Sequence, residues 1–155
     1  MLAESDRAVV LGWDGVLVCR GGEGVRPVAG VTEALRGARR AGIPVIVLTE
    51  LPVGDVAAEA RRLDIVDGLA VVIADAVDQT AELRRLAREY PRLARVGGTE
   101  EEIRCARCAG VLAFGFSGAG GSGPRLRAAG AEAVFSRMDR ALALRVTASR
   151  LFATS

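Results

Sequence analysis

The chain has 155 residues, half of them hydrophobic, and a formal net charge of +2. That length suffices for one compact domain with its own core, while near-neutral charge and few aromatics argue against a nucleic-acid surface or a base-stacking platform. Every basic residue is arginine, and the absence of Lys, His and Asn removes imidazole metal ligands, Ser–His and Cys–His pairs, Schiff-base lysines and the lysine of a phosphate loop.

In chain order, Met1 to Arg7 lacks a basic region followed by an apolar stretch, so no secretory signal is expected. Short apolar runs then alternate with amphipathic segments, which predicts an α/β layered fold with a mainly parallel sheet. The first strand is expected over Ala8 to Leu11. A Gly-rich connection from Cys19 to Arg26 leads past Pro27 to a helix from Val31 to Arg40, with Val31, Leu35 and Ala38 on one face and Gly42 ending it. Ile43 to Leu48 is a continuous apolar run, as a strand covered on both faces requires. Pro52 suits the first turn of a second helix reaching Leu63.

Val71 to Ile73 reads as the third strand, Asp78 to Tyr90 as a helix, and Leu93 to Val96 as a fourth strand ending at Gly97-Gly98. Thr99 is a good N-cap for a helix whose Glu100, Glu101 and Glu102 suit the positive end of its dipole, with Glu102 placed for a capping box. Gly110 closes that helix, Val111 to Phe116 forms the fifth strand, and Ser117 to Gly123 is a flexible loop. A helix, an edge strand at Ala133 to Phe135 and a terminal helix from Met138 to Phe152 complete a single expected domain, 1–155. No segment approaches the roughly 20 apolar residues that span a bilayer, so no membrane insertion is expected. Three cysteines, an odd number, fit a reducing, cytoplasmic setting. Cys105 and Cys108 fall inside a predicted helix and are expected as buried or half-buried free thiols.

Val9 to Val18 reads as an apolar strand running into Gly12-Trp13-Asp14-Gly15. This stretch resembles the first motif of the haloacid dehalogenase (HAD) superfamily, Asp-x-Asp-Gly or Asp-Lys-Thr-Gly, with Gly12 at the position of the attacking carboxylate. Val25-Arg26-Pro27 with Glu33-Ala34-Leu35 and Ala41-Gly42-Ile43 resembles the entry to the second motif, and Val47-Leu48-Thr49 its strand and terminal threonine. Val96 to Glu102, Gly118 to Gly123 and Ala129 to Phe135 resemble the last motif and its downstream loop. The nearest subtype is the phosphorylation domain of P-type cation-transporting ATPases; the alternative parent is a capless HAD phosphatase, to which Trp13-Asp14-Gly15 is closer. The resemblance implies a three-layer Rossmannoid fold with strand order 3-2-1-4-5 and a sixth edge strand. The short connection before Pro27 leaves no room for a cap.

HAD chemistry, as the resemblance implies it, needs a nucleophilic carboxylate, Mg²⁺, a hydroxyl on the phosphate and a balancing lysine. Here Gly12 cannot form an aspartyl-phosphate. Asp14 takes the acid/base position and can transfer a proton or hold its loop through backbone N–H groups. Thr49 matches the phosphate contact or is a structural hydroxyl. The lysine position falls near Asp78-Gln79. Gly98 stands at the first metal-binding Asp, and Glu102 retains the later acidic position as a metal candidate or a helix-end charge. Mg²⁺, which wants near-octahedral oxygen ligation and usually a carboxylate or two, is therefore expected to bind weakly or not at all. Gly118 to Gly123 can also be read as an anion cradle, and Trp13 as an exposed anchor for a protein partner.

Two functions follow as expectations. One is a catalytically impaired HAD-like domain with a structural or regulatory role, as part of or companion to a parent transporter. The other is a small HAD-type hydrolase with altered chemistry at a crevice where Asp14, Thr49, Glu50 and Gly98 converge beyond the strand ends.

Overall fold

A computed structural model describes residues 6–138. Eight strands and five helices follow one another: β1 (Arg7–Leu11), β2 (Val18–Gly21), β3 (Gly24–Pro27), α1 (Val31–Arg40), β4 (Val45–Leu48), α2 (Val53–Arg62), β5 (Val71–Ile73), α3 (Gln79–Glu89), β6 (Arg92–Gly97), α4 (Glu100–Cys108), β7 (Leu112–Phe116), α5 (Gly123–Ala128) and β8 (Val134–Phe135). Six of the strands make a parallel sheet in the order β5-β4-β1-β6-β7-β8. Renumbered without β2 and β3, that is the expected 3-2-1-4-5 order with its sixth edge strand.

The sheet is sandwiched, and residue alternation decides which side chain meets which layer. Val9, Leu11, Val45, Val47, Ala94, Val96, Phe114 and Phe116 pack with Val31, Leu35 and Ala38 of α1 and Val56 and Ala60 of α2. Ala8, Val10, Ile46, Leu48, Leu93 and Ala113 face the other way, onto Leu83 and Leu86 of α3, Ile103 and Ala106 of α4 and Leu126 of α5. Both faces being covered, β4 is buried at all four positions, which is why its sequence does not alternate. Arg95 is the exception. It sits on β6 opposite Val10 and Ala113, in the middle of the second apolar face.

Helix ends follow their sequence signals. Thr99 caps α4 and forms the capping box with Glu102, Asp78 caps α3 by accepting from the Ala81 N–H at 3.0 Å, and Gly42 and Gly110, at φ +71° and +74°, take the left-handed residue that ends α1 and α4. Pro52 stands one position earlier than expected, as the N-cap of α2 rather than within its first turn.

The connection from Cys19 to Arg26 is corrected: it is an antiparallel hairpin, with Cys19 opposite Arg26 and Gly21 opposite Gly24. It is the only insertion between β1 and α1 among the described residues, and there is no cap. The predicted terminal helix from Met138 to Phe152 lies outside the described residues apart from Met138, which is buried in the first core. No helix among the described residues is long and apolar enough to cross a membrane.

Candidate active-site crevice

A crevice of about 290 Å³ opens beyond the carboxyl ends of the central strands, lined among others by Asp14, Thr49, Glu50, Gln79, Glu101 and Glu102. β1 delivers the loop carrying Asp14, β4 leads directly into Thr49, and β6 turns through Gly98 into α4. The parallel topology thus brings Asp14, Thr49, Glu50 and Glu102 together. No basic side chain is among the lining residues.

The loop after β1 closes tightly on itself. The N–H groups of Leu17 and Val18 both donate to the Trp13 carbonyl at 3.0 Å, and the Gly15 N–H donates to the Val18 carbonyl at 2.8 Å. Trp13 is not the exposed anchor suggested by its sequence position: it is 1% exposed, and its indole N–H donates to Glu59 Oε1 at 2.8 Å. An indole is mostly apolar surface with one donor, so burial needs such a partner.

Asp14 is 45% exposed, and its Oδ1 pairs with Arg20 Nε at 2.6 Å. Arg20 also forks onto both oxygens of Glu59, at 2.8 and 2.9 Å. The hairpin is thereby tied to α2 and to the Asp14 loop through one guanidinium, whose planar geometry suits bidentate carboxylate pairing. The hydrogen bond from Arg20 holds the Glu59 carboxyl below its usual range, with Trp13 adding to the effect against the cost of burial, and Arg20 is in turn held more firmly protonated, chiefly by Glu59.

A carboxyl with a depressed folded-state pKa contributes stability above its unfolded value and loses it as pH falls through the folded value. Melting temperatures measured from pH 7 to pH 3 should therefore drop more steeply for the wild type than for Glu59→Gln, the gap closing at the acid end. Parallel curves would show that the Arg20–Glu59 pair contributes no proton-linked stability.

The position of Gly12 is filled from across the sheet. A Cβ at Gly12 would stand 2.6 Å from Glu102 Oε2 and 3.3 Å from Val16 Cγ2. Glu102 Oε2 also accepts from Arg95 Nη2 at 2.5 Å, while Oε1 accepts from the Gly98 and Thr99 N–H groups at 3.0 and 3.2 Å and lies 3.2 Å from Thr99 Oγ1. Glu102 is therefore more than a helix-end charge. It closes the capping box and neutralises a guanidinium that is fully buried. Arg95 Nε and Nη1 have no hydrogen-bond partner.

Gly98 is closed off as well: a Cβ there would lie 2.6 Å from the Gly15 carbonyl oxygen. In the loop 118–123, a Cβ at Gly118 would meet the Phe116 ring and the Ser136 carbonyl oxygen at 2.5 Å, and one at Gly121 the Gly98 carbonyl oxygen at 3.0 Å. Close packing therefore requires glycine at positions 118 and 121. Thr49 is buried and its Oγ1 accepts from the Leu51 N–H at 3.2 Å, a local turn bond. At the expected lysine position, Asp78 is a helix cap and Gln79 reaches the crevice with a buried, unpartnered Oε1. Cys105 is half-buried on the crevice wall; Cys108, expected to be at least half-buried, is exposed, and both are free thiols.

No protein-family model matches the chain, and no curated protein matches it by sequence. Solved structures do match. A HAD family hydrolase from Deinococcus radiodurans R1, with bound phosphate and sodium, superposes at a TM-score of 0.76 and 14% identity over 96% of this chain and 98% of that one. A haloacid dehalogenase-like protein of unknown function from Agrobacterium tumefaciens does so at 0.74 and 17%, over 91% and 97%. The fold is HAD-like. A third HAD-like match is 3-deoxy-D-manno-octulosonate 8-phosphate phosphatase from Moraxella catarrhalis, in complex with magnesium, phosphate and KDO, at 0.62 and 17% over 90% and 84%. At such identities the likeness is one of fold, and chemistry has to be argued from the site.

The positions that the resemblance gives to a metal do not fit a magnesium ion such as the one found with the Moraxella phosphatase: Gly12 and Gly98 offer no carboxylate, and both Glu102 oxygens are engaged by donors, whereas Mg²⁺ is usually held by one or two carboxylates. Asp14, Glu50 and Glu101 also line the crevice, but among the described residues no cluster of three or more acidic or thiol side chains is placed to hold a metal ion.

Sequence reasoning missed Arg95, Arg20 and Glu59. Arg95 carried a usable signal, a lone charge inside Leu93-Ala94-Arg95-Val96, seven residues before an acid. Arg20 and Glu59 carried none, because the hairpin that joins them was not foreseen.

Proposed function

We propose that this chain is a single HAD-like domain without phosphoryl-transfer competence, serving a structural or regulatory role. One observation supports it above the others: the place of a nucleophile is Gly12, and the space beside it holds a carboxylate already committed to Arg95. A phosphate entering the crevice would meet Glu50 and Glu101 with no basic lining side chain to offset the repulsion between like charges, while Asp14 and Glu102 are already paired with Arg20 and Arg95. Kinship to the phosphorylation domain of a P-type cation-transporting ATPase would extend this role to a parent transporter or a companion protein as partner.

A second reading, a small HAD-type hydrolase using Asp14 as general acid/base, draws support from the exposure of Asp14 at the crevice mouth. A panel of phosphate esters and ATP with Mg²⁺ separates the two. The expected result is turnover no greater than buffer alone, together with no change in the domain on adding beryllium fluoride and Mg²⁺. Turnover that disappears in Asp14→Asn would replace the first reading with the second.

A further inference from the structure

We propose that the guanidinium of Arg95, buried beneath the crevice and paired with Glu102 on its wall, acts as a built-in cation in place of a divalent metal, leaving the domain indifferent to Mg²⁺. Arg95 is 0% exposed, and the side chain cannot shed its charge at any ordinary pH. Burying a charge is costly unless it is paired, and an apolar side chain of similar volume on an otherwise apolar face would pack as well or better. Size and packing therefore do not account for an arginine here. Its charge does.

Only one of the three guanidinium nitrogens has a hydrogen-bond partner, and that partner is Glu102 Oε2 at 2.5 Å. The same oxygen lies beside the backbone at Gly12, and the other Glu102 oxygen is occupied by the start of α4. A magnesium ion on Oε2 would sit about 2.1 Å from an oxygen that the guanidinium already touches, bringing two cations together on one carboxylate. Metal is excluded by a competing charge, and not merely by missing ligands.

The proposal rests on the HAD-like reading of the crevice, but its test reads melting rather than turnover. Catalysis by the unmodified chain would sink the proposed function alone, and a metal response sinks this one. Melting temperatures of the full chain are measured in EDTA and in 10 mM MgCl₂. The wild type is expected to agree within about 1 °C, as mass action requires when the ion scarcely binds the native state. Arg95→Met frees Glu102, so its melting temperature should fall in EDTA and recover by several degrees in MgCl₂. Arg95→Lys keeps the charge and should remain indifferent to the ion. The proposal is overturned if the wild type gains several degrees with MgCl₂, or if a folded Arg95→Met ignores it. Should Arg95→Met not fold, Arg95→Lys decides: a folded, indifferent lysine variant supports the charge requirement, and a lysine variant that also fails to fold overturns it.

Discussion

Glu102→Gln should be among the most damaging conservative substitutions in the chain, costing about 3–5 kcal/mol because it leaves a buried guanidinium without its counter-charge. Arg95 is fully buried and has no other hydrogen-bond partner to turn to, whereas the Glu102 side chain keeps 14% exposure and its contacts with the Gly98 and Thr99 N–H groups. Arg95→Met should accordingly cost less, about 1–3 kcal/mol, the range for a polar group that loses one partner. Combining the two removes both charges, so the double variant should be more stable than Glu102→Gln alone. Denaturant unfolding of the four proteins gives the coupling directly. Simple additivity would mean that the pair is not the interaction the geometry describes. Against a total stability on the order of 5–15 kcal/mol for a domain, the single glutamine is enough to threaten folding at 37 °C.

Placing carboxylates at the two glycines should not create phosphoryl transfer. The double variant Gly12→Asp, Gly98→Asp puts acids where the resemblance to HAD motifs would have them, but this backbone has no room for them. At Gly98 a Cβ would lie 2.6 Å from the Gly15 carbonyl oxygen and 3.1 Å from its carbon, in a loop closed by its own hydrogen bonds, so the backbone must move. Overpacking of that kind costs about 1–3 kcal/mol per site. At Gly12 the obstacle is the Glu102 carboxylate, which is held by Arg95 and the start of α4, and a second negative charge would be placed against it. The expected outcome is a melting temperature several degrees lower and no magnesium-dependent release of phosphate from an ester. Turnover by a variant that melts with the wild type would mean that the crevice is open and only its carboxylates are missing.

Much of the fold was legible because its strands are short apolar runs bounded by glycine, and its helices carry caps. Val71 to Ile73 as a strand and Thr99 with Glu102 as a capping box are determined within a few residues, and the structure keeps both. The hairpin was hidden for the same reason in reverse. Its strands are four residues each, three of those eight positions are glycine or proline, and most are exposed, so no alternation marks them as sheet. Gly22-Glu23 between paired positions is the two-residue connection of a hairpin, the one local sign available.

The crevice was half legible. Position in the chain located Asp14, Thr49 and Glu102, since parallel strands deliver their carboxyl ends to one side. What those side chains are bonded to depends on partners far away in sequence, and no periodicity reports it. Trp13 is buried because Glu59, 46 positions on, offers an acceptor. Asp14 is paired because Arg20 reaches it from the hairpin. Glu102, placed by its chain position as a candidate metal ligand, is taken by Arg95 beneath it.

The outermost strands of the sheet carry a consequence for behaviour at high concentration. β5 has three residues and β8 two. Another copy seeking to extend the ladder past β5 would find outward-pointing groups on only about one or two of its residues, too little to offset the freedom surrendered by the incoming segment. Although Val71 is exposed at this border, the brevity of β5 disfavours edge-to-edge pairing there.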